Sequence, residues 1–104
     1  MYIDVYSMER TSFETGKVVM THGIFEQYTK DEEFRRFVKN SFSKYLVCDW
    51  GDTCKEDSEQ NDISVIQDER ILAVYKYPSD ETKTIWIVTE WDRSITTILF
   101  PSEY

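Results

Sequence analysis

Ile71–Phe100, ILAVYKYPSDETKTIWIVTEWDRSITTILF, decides the fold of this 104-residue chain. Ile71 to Tyr77 is rich in β-formers, and Pro78-Ser79-Asp80-Glu81 turns it. Thr84 to Trp91 has apolar residues on both faces, which predicts a central strand. Asp92-Arg93-Ser94 turns the chain again and Ile95 to Phe100 brings it back. Pro101 stops that run because it has no N–H to give a ladder. Two successive hairpins make an antiparallel meander.

Upstream, Thr29-Lys30-Asp31-Glu32 reads as a capping box that opens a helix to Leu46. Asp31, Glu32 and Glu33 in its first turn suit the helix dipole. Phe34, Phe37, Val38, Phe42, Tyr45 and Leu46 follow a 3.6-residue period, with Arg35, Arg36, Lys39 and Lys44 on the other face. Further upstream, a turn at Glu14-Thr15-Gly16-Lys17 leads into a short strand, Val18 to Thr21, which Gly23 is expected to break. Residues 1–8 alternate loosely, Tyr2, Asp4 and Tyr6 against Ile3 and Val5, as an edge strand would.

Between helix and meander lies a connector, Cys48-Asp49-Trp50-Gly51-Asp52. A second capping box, Thr53-Cys54-Lys55-Glu56, opens a helix to about Gln67. Its apolar positions are few: Ile63 and Ile66, with Val65 to one side. It is expected to lie on the surface, anchored by its C-terminal half. The length suits one domain, residues 1–104. The fold class expected is α+β: an antiparallel sheet of about four to five strands packed against one amphipathic helix, with a short acidic helix on the rim.

That acidic helix sits in the most charged part of the chain. Asp49, Asp52, Glu56, Asp57, Glu59, Asp62, Asp68 and Glu69 face a single base, Lys55, so this segment holds a net −7 of the chain's −8. So local a charge makes a directional field that favours a basic partner. The pI near 4.6 argues against direct contact with nucleic acid. No apolar h-region follows Met1 and no apolar run is long enough to span a bilayer, so a cytoplasmic protein without membrane contact is expected. Two cysteines are too few for a secreted disulfide framework and read as reduced thiols.

Other constellations each have a structural reading beside the functional one. Cys48, Cys54, His22 and Asp52 have the chemistry of a zinc site, but Cys-x5-Cys is wider than the usual spacing and packing thiols are the simpler reading. No metal or other cofactor is therefore expected. The same cysteines with His22 are the only candidates for a nucleophile–base pair, and no catalytic residue is assigned. Glu90 and Asp92 fit a structural network with Arg70 or Arg93. Asp92-Arg93-Ser94 reads as a self-capped turn, or as the display of an arginine for an anionic group. Trp50 and Trp86 read as core; Trp91, beside the turn, is the candidate exposed hot spot.

Several runs carry a resemblance: Asp49-Trp50-Gly51-Asp52, Lys55-Glu56-Asp57 with Asn61-Asp62, Glu69-Arg70-Ile71-Leu72, Ile85 to Glu90, Asp92-Arg93-Ser94 and Thr96 to Tyr104. Together they resemble a family of small bacterial "plasmid-related" proteins carried on plasmids, phages and other mobile elements. The resemblance covers about residues 17–104, leaving 1–16 as an addition to the core pattern. It brings no catalytic residues. Its genetic setting implies a part in conflict between mobile elements and host defences, as anti-CRISPR proteins play. With the charge block, this leads to a non-enzymatic inhibitor of a basic nucleic-acid-binding defence protein, such as a CRISPR effector nuclease, acting as a DNA mimic. The expected contacts are Asp49, Asp52, Glu56, Asp57, Glu59, Asp62, Trp91 and Arg93. The alternatives are ordinary solvated charge, a regulatory or assembly module that forms a homodimer, and, further down, a small enzyme or a zinc-binding module.

Overall fold

The computed structural model describes residues 13–104, so the strand expected over residues 1–8 lies outside the described part. Its elements run β1 (Lys17–Met20), α1 (His22–Lys30), α2 (Glu32–Leu46), α3 (Lys55–Gln67), β2 (Ile71–Tyr75), β3 (Ile85–Thr89) and β4 (Ile95–Leu99). Short 3₁₀ turns fall at Glu81–Lys83 and Pro101–Glu103. The fold is α+β, with a four-stranded sheet in the order β1-β4-β3-β2.

The meander forms as its turns predict. β3 pairs antiparallel with β2 on one side and with β4 on the other. Its interior place matches the apolar residues on both its faces. The expectation of a wholly antiparallel sheet needs correction, because β1 runs parallel to β4. Three helices and two strands separate them in sequence. A crossover that long can return the chain in either direction, whereas a tight turn forces antiparallel pairing.

One face of the sheet presents Val18, Ile71, Ala73, Tyr75, Ile85, Ile87 and Ile98 to the helices. α2 covers it with Phe34, Val38, Phe42, Tyr45 and Leu46, all buried. The predicted stripe is thus the core face. Ring contacts tie it together: Tyr45 meets Trp50 edge-on at 5.5 Å and Phe37 meets Tyr77 edge-on at 5.0 Å. Polar groups in this core are paired. The Tyr45 hydroxyl bonds Thr89 Oγ1 at 2.7 Å, which bonds Thr96 Oγ1 at 2.7 Å. Burial first, then the neighbouring Tyr45 phenol and the Asp49 carboxylate, push the Tyr75 hydroxyl well above its ordinary range, and it donates to the Asp49 carbonyl at 2.7 Å.

Helix α1 was not expected. Gly23 does not break a strand there; it lies in the first turn of a helix capped by Thr21, whose hydroxyl accepts from Ile24 N. Glycine there leaves room for the Glu103 carboxylate, which a Cβ at position 23 would push aside. That carboxylate accepts from Gly23 N, Thr21 Oγ1 and Phe100 N, clasping the C-terminal end onto the start of α1. Burial works against this charge, but the three donors outweigh it and hold Glu103 below the ordinary carboxylate range.

The capping box at Thr29 also needs correction. Thr29 is still within α1, where its hydroxyl donates to the Glu26 carbonyl. Asp31 ends α1 and starts α2, accepting from Phe34 N at 3.1 Å. The two helices abut so closely that a single residue caps both. Its carboxyl is held below the ordinary 3.8 by the Phe34 amide first, then by Lys83 at 3.1 Å.

Candidate functional site

The acidic segment consists of the connector and α3, laid along the outer edge of β2. As the last strand of the sheet, β2 would leave the outward amides and carbonyls of alternate residues unpaired. The segment pairs them one after another. The Asn61 side chain donates to the Leu72 carbonyl at 2.9 Å and accepts from Leu72 N. Thr53 Oγ1 accepts from Val74 N at 2.8 Å, while Asp52 N donates to the Val74 carbonyl at 2.8 Å. The Asp52 carboxylate then accepts from Lys76 N at 2.8 Å.

This edge-covering explains the local backbone. Gly51 has φ +63° and lies where a Cβ would strike the Tyr75 ring, so only glycine lets the connector come so close. Asp49 Oδ1 accepts from Gly51 N and fixes the turn. Thr53 does not act as the expected cap, since its hydroxyl is taken by Val74 N and donates to the Trp50 carbonyl at 2.6 Å. The N-cap is Cys54, which makes no side-chain capping bond.

α3 is anchored by its C-terminal half, as expected, but not through its isoleucines. The buried residues of α3 are Asn61 and Ser64, with Val65 packed against the core. Ile63 and Ile66 are exposed. Arg93 completes the attachment from the far turn. Its Nη2 donates to the Ser64 carbonyl at 2.8 Å, and its Nη1 donates to the carbonyls of Glu69 at 2.8 Å and Glu90 at 3.1 Å. It therefore ties down the C-terminal end of α3, adding to the Asp68 and Glu69 amides that already bond the Ser64 carbonyl. Asp92 caps its own turn, accepting from Ser94 N and Oγ, and those bonds hold it below the ordinary carboxylate range. Glu90 pairs with Arg70 at 3.6 Å.

The eight expected contact residues divide accordingly. Asp49, Asp52 and Arg93 are tied into the connector, strand edge and turn. Asp62 accepts from the Trp50 indole at 2.9 Å, flanking the outward face of α3. Glu56, Asp57 and Glu59 project from the first two turns of α3 and are exposed. Trp91 is 65% exposed. Among the described residues the ion pairs are His22–Glu26, Arg70–Glu90 and Lys83–Asp31, and none touches a carboxylate of the acidic segment. The hydrogen bonds to Asp49, Asp52 and Asp62 come from neutral donors, which orient those groups without cancelling their formal charge.

The zinc candidates are not assembled. Among the described residues no three His, Cys, Asp or Glu side chains gather around a common point. His22 faces Glu26 at the exposed start of α1, half-buried Cys48 follows α2, and exposed Cys54 precedes α3. No described helix is long and apolar enough to cross a membrane. Compared with protein-family models, curated proteins and solved structures, the chain matches none. Its site is read from its own geometry.

Proposed function

We propose that this chain is a non-catalytic acidic binding protein of a mobile element that inhibits a basic, nucleic-acid-handling defence enzyme, with a CRISPR effector nuclease as the leading target. α3 lies across that enzyme's cationic channel and stands in for a stretch of phosphates. The observation that supports this most is the first half of α3: Glu56, Asp57 and Glu59 are exposed, Glu56 and Glu59 on the side away from the Asn61 and Ser64 attachment, and no lysine or arginine of the described chain pairs with them. A helix backbone already fixed to the strand edge loses little further freedom on binding, which favours affinity. Opposed fields also speed encounter, so inhibition falls as salt rises.

The test is the triple variant E56K/D57K/E59K in a DNA-cleavage assay with an RNA-guided nuclease of the host. Inhibition should be lost. The unfolding free energy should fall by no more than about 1 kcal/mol per site, because Glu56 and Asp57 also face the positive end of the α3 dipole, and the variant should stay folded. Undiminished inhibition by the folded triple variant would defeat the proposal.

A further inference from the structure

The outward stripe of α3 continues past its acids. The spacing that places Glu56 and Glu59 on one line next reaches Ile63 and Ile66, offsets of three, four and three residues that stay on one helix face. These isoleucines are 45% and 83% exposed, although the opposite face of α3 carries Asn61, Ser64 and Val65 to hold it in place. They therefore contribute little to attaching the helix. Trp91 stands at the same end of the molecule, since Arg93, two residues on, bonds the carbonyls of Ser64 and Glu69 at the end of α3. Its side chain is also largely in water.

We infer that the outward face of α3, with Trp91 beside it, docks into an apolar slot on a basic protein, the slot being flanked by lysines or arginines. This rests on the acidic-inhibitor reading and adds the second half of the partner's chemistry. Glu56 and Glu59 meet the flanking cations, while Ile63 and Ile66 seat in the slot in the manner of a helix in a groove. Charge complementarity selects this occupant. The segment's net −7 disfavours a second copy, because a self-complementary contact would set two such fields against each other. It disfavours nucleic acid for the same reason. A channel built only for phosphates offers no seat for two isoleucines, so pure phosphate mimicry leaves this half of the face unexplained.

The test uses two fluorescent helix-forming peptides of equal length and charge, titrated into the full chain by anisotropy. In one peptide lysines are spaced by serine and alanine; in the other they flank a leucine stripe. The chain should bind the leucine peptide at least about tenfold more tightly, a margin that burying part of one isoleucine supplies. I63Q/I66Q should erase that preference and leave the serine–alanine peptide bound within about twofold. Equal binding of both peptides by the unaltered chain, or a preference that survives I63Q/I66Q, would overturn the inference. So would a dimer in sedimentation that I63Q/I66Q dissolves, since the face would then belong to a second copy. E56K/D57K/E59K separates the two readings. If it leaves the serine–alanine peptide bound as before, the acidic reading itself has failed; if it abolishes that binding while I63Q/I66Q changes nothing, only the apolar inference has.

Discussion

Helices α2 and α3 are of similar length, 15 and 13 residues, yet they put their apolar residues to opposite uses. α2 turns Phe34, Val38, Phe42, Tyr45 and Leu46 into the core and leaves charge outside. α3 is held by an asparagine, a serine carbonyl and a distant arginine, and leaves two isoleucines in water. In α2 the apolar pattern reports the fold. In α3 hydrogen bonds to a strand edge attach the helix, so its exposed apolar residues are available for something outside the chain.

The largest contrast is thermodynamic. Phe34→Ala should cost roughly 3–5 kcal/mol of unfolding free energy, the usual range for emptying a buried aromatic site. Ile66→Ala should stay within about 0.5 kcal/mol, as for exposed positions. Urea denaturation of both variants measures this, and comparable losses would erase the distinction between the helices.

A smaller effect sharpens how α3 is attached. Asn61→Asp keeps an acceptor for Leu72 N but sets a carboxylate against the Leu72 carbonyl, where the amide donated. The loss should be about 1–3 kcal/mol, the cost of a missing partner at a poorly solvated polar group. Hydrogen exchange should quicken at the α3 and β2 amides before those of α2. Uniform quickening would mean that α3 is not held locally.

The smallest effect lies at the start of α2. The Asp31 carboxyl is held below 3.8, first by the Phe34 amide and then by Lys83. A depressed carboxyl contributes stability that is complete above its unfolded value and is lost as pH falls through its lower folded value. Stability should therefore drop as pH falls below about 4, and Asp31→Asn should flatten part of that acid limb while keeping an acceptor for Phe34 N. An unaltered acid limb in the variant would show that this cap carries no such linkage.

The parts of the fold legible in the sequence are those where local pattern and tertiary burial agree. The α2 stripe and the meander with its two turns are of this kind. α1 was hidden because it fully buries only Ile24 and carries Gly23 in its first turn, leaving little period to detect. The parallel pairing of β1 with β4 was hidden because it depends on a partner about 78 residues away, which no local signal encodes. At the site, the acid run and exposed Trp91 were readable. The orientation of α3 was misread because isoleucines were assumed to anchor it, whereas Asn61 answers the unpaired edge of β2. The 56-59-63-66 spacing was present in the sequence, but its direction only becomes visible once the strand edge is known.

The most direct test of the docking face is an amide and indole NMR titration of the full chain with the leucine–lysine peptide. The account predicts shifts concentrated on α3 from Glu56 to Ile66 and on the Trp91 indole, with the exposed side of α2 silent. Shifts centred on Arg36, Lys39 and Asn40, or spread evenly over the surface, would contradict it.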